Sequence, residues 1–269
     1  MPLHALEGIK VIDVAINFAG PATSMYLADQ GAEVIKIERR ITGDTARRSG
    51  NTPFLKLNSR QFMAINRGKR SITLDITKSD GQEVVRELAR RSDVMVENFR
   101  PGVMDRLGLG YEALSEVNPR LIYASVSAYG MKGPYAKKAG FDRLIQGMAG
   151  SMFRHDAKGY PLTTGVWIAD WSAPMLMAYG IALALMVRAQ TGRGQHVESS
   201  LLQAAIAMQL GGSQSPRTTR HRPATRTNRR TTRLSVPTES SSTWPRFSRT
   251  STSACARCWT CRTSARTRA

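Results

Sequence analysis

Residues 9–37 read IKVIDVAINFAGPATSMYLADQGAEVIKI. Two apolar, β-branched runs, at 9–14 and 33–37, flank a segment that opens with Pro21 and continues to Gln30. Proline suits the first turn of a helix, so the stretch predicts strand, loop, helix, strand. The alternation continues with expected strands at 71–76, 94–97 and 121–126 and an amphipathic helix at 78–91. Strands and helices in this order predict an α/β protein with a parallel sheet covered on both faces. A helix at 141–149, a charge-free run at 172–187, a turn at 191–194 and a last apolar element at 197–210 complete the body.

The first unit invites a dinucleotide reading, because Glu38 follows the loop by about 20 residues, where an acid would meet a ribose. The loop at 17–21 argues against it. It holds one glycine, Gly20, where the fingerprint needs three.

Composition divides the chain near Gly212. Residues 213–269 carry 13 arginines, no lysine, one acid (Glu239) and all three cysteines, so +12 of the net +19 charge lies there. With two aliphatic residues, Leu234 and Val236, the tail cannot bury enough surface to fold alone and is expected to be disordered. One reading makes it an Arg-rich arm for nucleic acid. Another makes Cys255, Cys258 and Cys261 a metal knuckle, but that spacing lacks a fourth ligand, and no metal is expected. A third is a reading-frame shift just after Leu210: one base earlier, the codons for 258–264 permit V-L-D-L-P-D-L, an ordinary globular string. Composition favours the third.

No signal peptide is evident at 1–35, and the apolar run at 173–187 is short of the roughly 20 residues a membrane span needs. A body without cysteine suits the cytoplasm. The four histidines are isolated from any nucleophile pattern.

Asp170 is the best candidate for chemistry. It stands at the lip of the uncharged run 172–187, where free helix N–H groups and the positive end of the dipole would favour its ionised, nucleophilic form. As a preferred capping residue it could equally be an N-cap.

Five strings together carry a resemblance: FAGPATSMYLADQGAEVIKIERR (18–40), NRGKRSITLDI (66–76), DVMVENFRPGVMDRLGLGYE (93–112), GFDRLIQGMAG (140–150) and TGRGQHVESSLLQAA (191–205). In this order, from about residue 6 to 210, the chain resembles the class III coenzyme A transferases, the group that includes formyl-CoA and carnitine CoA-transferases. The resemblance implies a doubly wound, mostly parallel Rossmann-like CoA-binding domain and part of a second, smaller domain within residues 1–212. It further implies interlocked homodimers, and a reaction that moves CoA from an acyl-CoA to a small carboxylic acid. No cofactor beyond CoA is implied.

Position by position, Asp170 falls on the catalytic aspartate and Asp142 on an assisting acid. Asn17, Phe18, Arg39, Leu74, Asp75, Asn98, Phe99, Arg106 and Lys138 fall on CoA-contacting positions. Arg40, Arg67 and Arg70 read as surface. Asp142 could also be a helix N-cap. The related α-methylacyl-CoA racemases need a histidine immediately before that acid, and Phe141 stands there.

Overall fold

The structure is a computed structural model, and it describes residues 4–49 and 58–209. Residues 1–215 form one compact unit. The expectations for the tail at 213–269 lie outside the described residues.

Six parallel strands form one sheet: β1 (Lys10–Asp13), β2 (Glu33–Glu38), β3 (Lys69–Thr73), β4 (Val94–Glu97), β5 (Ile122–Ser127) and β6 (His196–Ser200), in the order 3-2-1-4-5-6. Alternate side chains point to opposite faces. Val11, Val34, Val94, Val96, Ile122 and Ala124 join one core. That core includes helices α1 (Ala19–Asp29), α7 (Ile168–Thr191) and α8 (Leu201–Ala207). Ile12, Ile37, Met95 and Tyr123 point the other way, toward α3 (Ser79–Arg90) and α5 (Tyr111–Val117). Burial on both faces explains why the central strands β1 and β4 carry consecutive apolar residues rather than alternating ones, whereas the edge strands β3 and β6 are mostly polar. The remaining helices are short: α2 (Arg60–Ile65), α4 (Val103–Arg106) and α6 (Asp142–Met148).

Three expectations move. The strand placed at 71–76 runs Lys69–Thr73, because Lys69 and Arg70 pair in register with Val34 and Ile35, which leaves Leu74–Ile76 beyond the strand. The single apolar element at 197–210 is a strand followed by a helix, with Ser200 between them accepting a hydrogen bond from the Gln203 N–H. The charge-free run is the middle of a 24-residue helix, long and apolar enough by length and composition to cross a membrane. Its inner face, including Ala173, Met177, Ile181 and Ala184, joins the core, and buried Arg188 pairs with Asp93 at 2.9 Å. The helix stops at Gly192, whose φ of +73° closes the expected turn.

The one glycine of the first loop has a packing role. A Cβ on Gly20 would stand 2.3 Å from the Ala15 Cβ and 3.0 Å from the Asn98 Cγ, so only glycine lets α1 begin this close to the ends of β1 and β4.

Candidate functional site

Chain order reverses between β1 and β4, the place where doubly wound sheets open a crevice at the carboxyl ends of their strands. A cleft of about 960 Å³ lies there. Its walls are residues that follow the strands: Val14 and Asn17 after β1, Arg39 and Arg40 after β2, Leu74 and Asp75 after β3, Asn98 to Pro101 after β4. Lys138 to Gly140 close the far side.

The loop after β1 is fixed by polar side chains. Asp13 accepts from the Ala15 N–H at 2.9 Å and Lys36 donates to the Ala15 carbonyl at 2.7 Å. Asn98 meets both backbone groups of Ile16 at 2.8 Å. Asp44 accepts from the Asn17 N–H at 2.9 Å, holding a non-glycine residue at φ +69°. These anchors join a buried charge cluster. Lys36 Nζ lies 2.9 Å from Asp44 and 3.9 Å from Asp13, while Lys69 Nζ lies 2.9 Å from Asp13. Burial opposes Asp13 ionising, yet Lys36, Lys69 and the Ser24 hydroxyl hold its carboxyl below the ordinary range. Burial likewise favours neutral Glu38, but hydrogen bonds from Arg47, Ser71 and the Asp44 N–H bring its pKa down to about 2.

Of the residues that the resemblance assigned to CoA, Asn17, Arg39, Leu74, Asp75, Asn98, Phe99 and Lys138 line one cleft. Two of these side chains have partners of their own. The Asn98 amide is engaged by Ile16, and the Asp75 carboxylate by the Thr77 N–H and hydroxyl. Lys138 stands 4.2 Å over the Tyr135 ring.

Phe18 and Arg106 are not among the lining residues. Phe18 turns inward and packs edge-on against Trp167 and Trp171 at 5.4 and 4.9 Å. Arg106 is an exposed residue of α4, the helix that contributes Val103 to the cleft. Two arginines missing from the sequence reading do line the cleft: Arg40, which had read as surface, and Arg100. Both lie within three residues of a strand's carboxyl end, after β2 and β4, and that position was the available signal.

The two acids meet at the start of α7. Asp170 is the third residue of this helix and not its N-cap. The capping is done from outside, by Asp142: one carboxylate oxygen accepts from the N–H groups of Ala169 at 2.9 Å and Asp170 at 3.2 Å. Gln146 donates to the other oxygen and to the Val166 carbonyl, and accepts from the Thr164 N–H.

This overturns the expectation that the helix end favours ionised Asp170. Asp142 takes the free N–H groups and brings a like charge. Burial first, and Asp142 second, raise the Asp170 pKa to about 7. Pro174 adds a further feature, since its missing N–H leaves the Asp170 carbonyl without its helical partner.

Neither acid lines the cleft. Both adjoin it through their neighbours: Asp142 follows lining Gly140 by two residues, and lining Asn17 precedes Phe18, which touches Trp167 and Trp171 on either side of Asp170. The arrangement offers a cationic, partly apolar crevice beside a carboxylate poised between its two protonation states.

The chain is similar to known proteins over this same region. It is 40% identical over 207 residues to a formyl-CoA:oxalate CoA-transferase of Streptomyces coelicolor, covering 77% of this chain and 50% of the relative. It is also 40% identical over 203 residues to a succinyl-CoA–L-malate CoA-transferase beta subunit of Chloroflexus aurantiacus, covering 75% and 50%. The chain thus spans about half the length of the curated relatives it matches. A crystal structure of a CAIB/BAIF family protein from Brucella suis superposes with a TM-score of 0.71 at 40% identity, over 77% of this chain and 56% of that one. The family model described as CoA-transferase family III matches residues 6–239, which take in the cleft, Asp142 and Asp170. The chain belongs to CoA-transferase family III.

Proposed function

We propose that Asp170 is the nucleophile of a CoA transfer from an acyl-CoA to a small carboxylic acid. The observation that carries this reading is the Asp170 carboxylate itself, given a pKa of about 7 beside a basic crevice at the sheet's switch point. A carboxylate of that basicity is a stronger nucleophile than an ordinary one, and a substantial fraction is ionised at neutral pH.

Asp170 attacks the thioester carbonyl, forming a mixed anhydride and releasing the CoA thiolate. The thiolate then attacks the Asp170 carbonyl of that anhydride, giving an aspartyl-CoA thioester and the donor's carboxylate. The acceptor carboxylate attacks this thioester and expels the thiolate. The thiolate finally attacks the acceptor's carbonyl, which yields the new acyl-CoA and frees Asp170. Both intermediates must be kept from water. Arg39, Arg40, Arg100 and Lys138 supply the charge for the CoA phosphates. The names of the relatives support short dicarboxylic acids as acceptors. A racemase would need an imidazole at Phe141, where the ring is instead exposed at the start of α6.

The reading extends to a homodimer and to the gene. Trp171, Met175, Tyr179, Leu183 and Met186 leave an apolar stripe exposed on α7, which supports pairing with a second copy. The Arg-, Ser- and Thr-rich composition of residues 213–269 supports a frame shift after Leu210, and genomic resequencing tests it.

For the reaction, the frame-restored protein is incubated with an acyl-CoA and an isotopically labelled carboxylic acid. Label should appear in acyl-CoA without matching release of free CoA. Hydrolysis to free CoA with no labelled thioester would contradict the reading.

A companion variant isolates the role of Asp142. Asp142→Asn retains an acceptor for the α7 N–H groups and removes the like charge. The acid limb of the rate against pH should move down by about one pH unit or less, because burial is the larger cause. A limb that stays in place would assign Asp142 a capping role alone.

A further inference from the structure

A second buried acid lies on the far side of the cleft wall. Glu97 ends β4, is 3% exposed, and has no ion pair among the described residues. It accepts from the Phe99 N–H at 2.7 Å and hydrogen-bonds the Ser125 hydroxyl. Ser125 stands opposite it in register on β5, and its Oγ lies 2.8 Å from His196 Nε2 on β6. His196 Nδ1 faces Glu198 Oε1 at 3.5 Å, and its ring stacks on Tyr111 at 5.2 Å. A cavity of about 300 Å³ borders Glu97 and His196, and shares Arg100 and Pro101 with the large cleft.

We propose that Glu97 is the positioning residue of the cleft wall at 98–101, and that Glu97, Ser125 and His196 form one hydrogen-bond chain whose protons rearrange together. A hydroxyl has one proton to give. When Glu97 is protonated it donates to Ser125, which donates to a bare Nε2, so His196 carries its proton on Nδ1. When Glu97 is ionised, Ser125 turns to donate to it, and His196 must present an Nε2 proton to the hydroxyl. The proton lost by Glu97 leaves to solvent, and the histidine stays neutral while exchanging one tautomer for the other.

Ionisation also makes the Phe99 N–H bond charge-assisted, which tightens the wall. Burial, outweighing the bonds from Ser125 and Phe99 and helped by Asp105, lifts the Glu97 pKa to about 7. Burial lowers that of His196. The other charged or titratable groups on the small cavity are Arg100 from the wall, Asp105 from α4, Tyr111 and Glu112 from α5, and Tyr123 from β5. The crossover therefore falls near neutral pH.

The consequence for CoA rests on the proposed function, and the chain itself does not. The test is NMR of the protein with ¹⁵N-labelled histidine and phenylalanine from pH 6 to 8.5, with His196→Gln identifying the histidine resonance. The parent should pass from the Nδ1–H to the Nε2–H tautomer, and the Phe99 amide proton should move downfield with the same midpoint. Glu97→Gln mimics the protonated acid and should freeze both. Ser125→Ala should freeze the tautomer while Phe99 still titrates. CoA affinity supplies a second reading, as the ratio of Kd in Glu97→Gln to that of the parent, which cancels titration of Asp170 and of the CoA phosphates. The ratio should rise to about fivefold at pH 8 and approach one at pH 6. A single His196 tautomer throughout, or a Phe99 shift that persists in Glu97→Gln, overturns the inference, as does a ratio independent of pH. Absence of CoA binding at every pH would count against the proposed function, and the NMR would still decide the chain.

Discussion

Asp170→Asn is expected to reduce CoA transfer by at least about a thousandfold and, at pH 8, to make the protein more stable. An amide has no carboxylate to attack a thioester, so the covalent route closes altogether. The stability effect follows from burial. Asp170 is ordinarily acidic in the unfolded chain, near 3.8, and titrates at about 7 when folded. A group raised in this way stabilises the fold fully only below its unfolded value, and that contribution is lost as pH climbs through 7. The parent therefore carries the whole cost at pH 8, where asparagine carries none. Urea denaturation should show a gain on the order of 2 kcal/mol at pH 8, fading to nothing near pH 4. A variant that loses activity and stability together at pH 8 would mark Asp170 as a structural residue.

Lys36→Met should have the largest effect on stability of any single change at the cleft. The Lys36 ammonium is 1% exposed and reaches Asp44, Asp13 and the Ala15 carbonyl at once. Methionine fills much of the volume and meets none of these needs. Asp44, whose Oδ2 has no hydrogen bond, loses its cation, and the Ala15 carbonyl loses its donor. Breaking one side of a buried ion cluster costs about 3–5 kcal/mol. CoA affinity should fall as well, since Asp44 holds the Asn17 N–H. Urea unfolding at pH 7 reads the first effect and calorimetric titration with CoA the second. A loss under about 1 kcal/mol would show that the Asp13–Lys69 pair suffices to keep the loop in place.

The sequence revealed the fold through period and punctuation. β-Branched runs marked β1, β2, β4 and β5, and Gly192 marked the end of α7. It failed where tertiary pairing outweighed local pattern. Leu74–Ile76 look like strand residues, and only the register with β2 shows that the strand ends at Thr73. His196–Ser200 and Leu201–Ala207 form one apolar run, and only the sheet edge separates strand from helix.

At the site, residues that follow strands were recognisable because the cleft gathers them. Arg40 and Arg100 obey the same rule, although Arg40, beside Arg39, looked like surface and Arg100 was not singled out. Phe18 was misplaced because an aromatic residue in a loop gives no sign of which side it faces until Trp167 and Trp171 are present. The electrostatics of Asp170 were misread for a related reason. A helix N-terminus favours an anion only when its N–H groups are free, and Asp142, 28 residues earlier in the chain, already occupies them.

The most direct test of the account is chemical trapping. The protein, carrying the proposed restored frame, is mixed with an acyl-CoA and hydroxylamine, digested, and analysed by mass spectrometry. An activated acyl group on Asp170 reacts with hydroxylamine, so the account predicts a hydroxamate on the peptide containing Asp170, dependent on acyl-CoA and absent in Asp170→Asn. Full CoA transfer with Asp170 unmodified, or a hydroxamate on Asp142 instead, would contradict it.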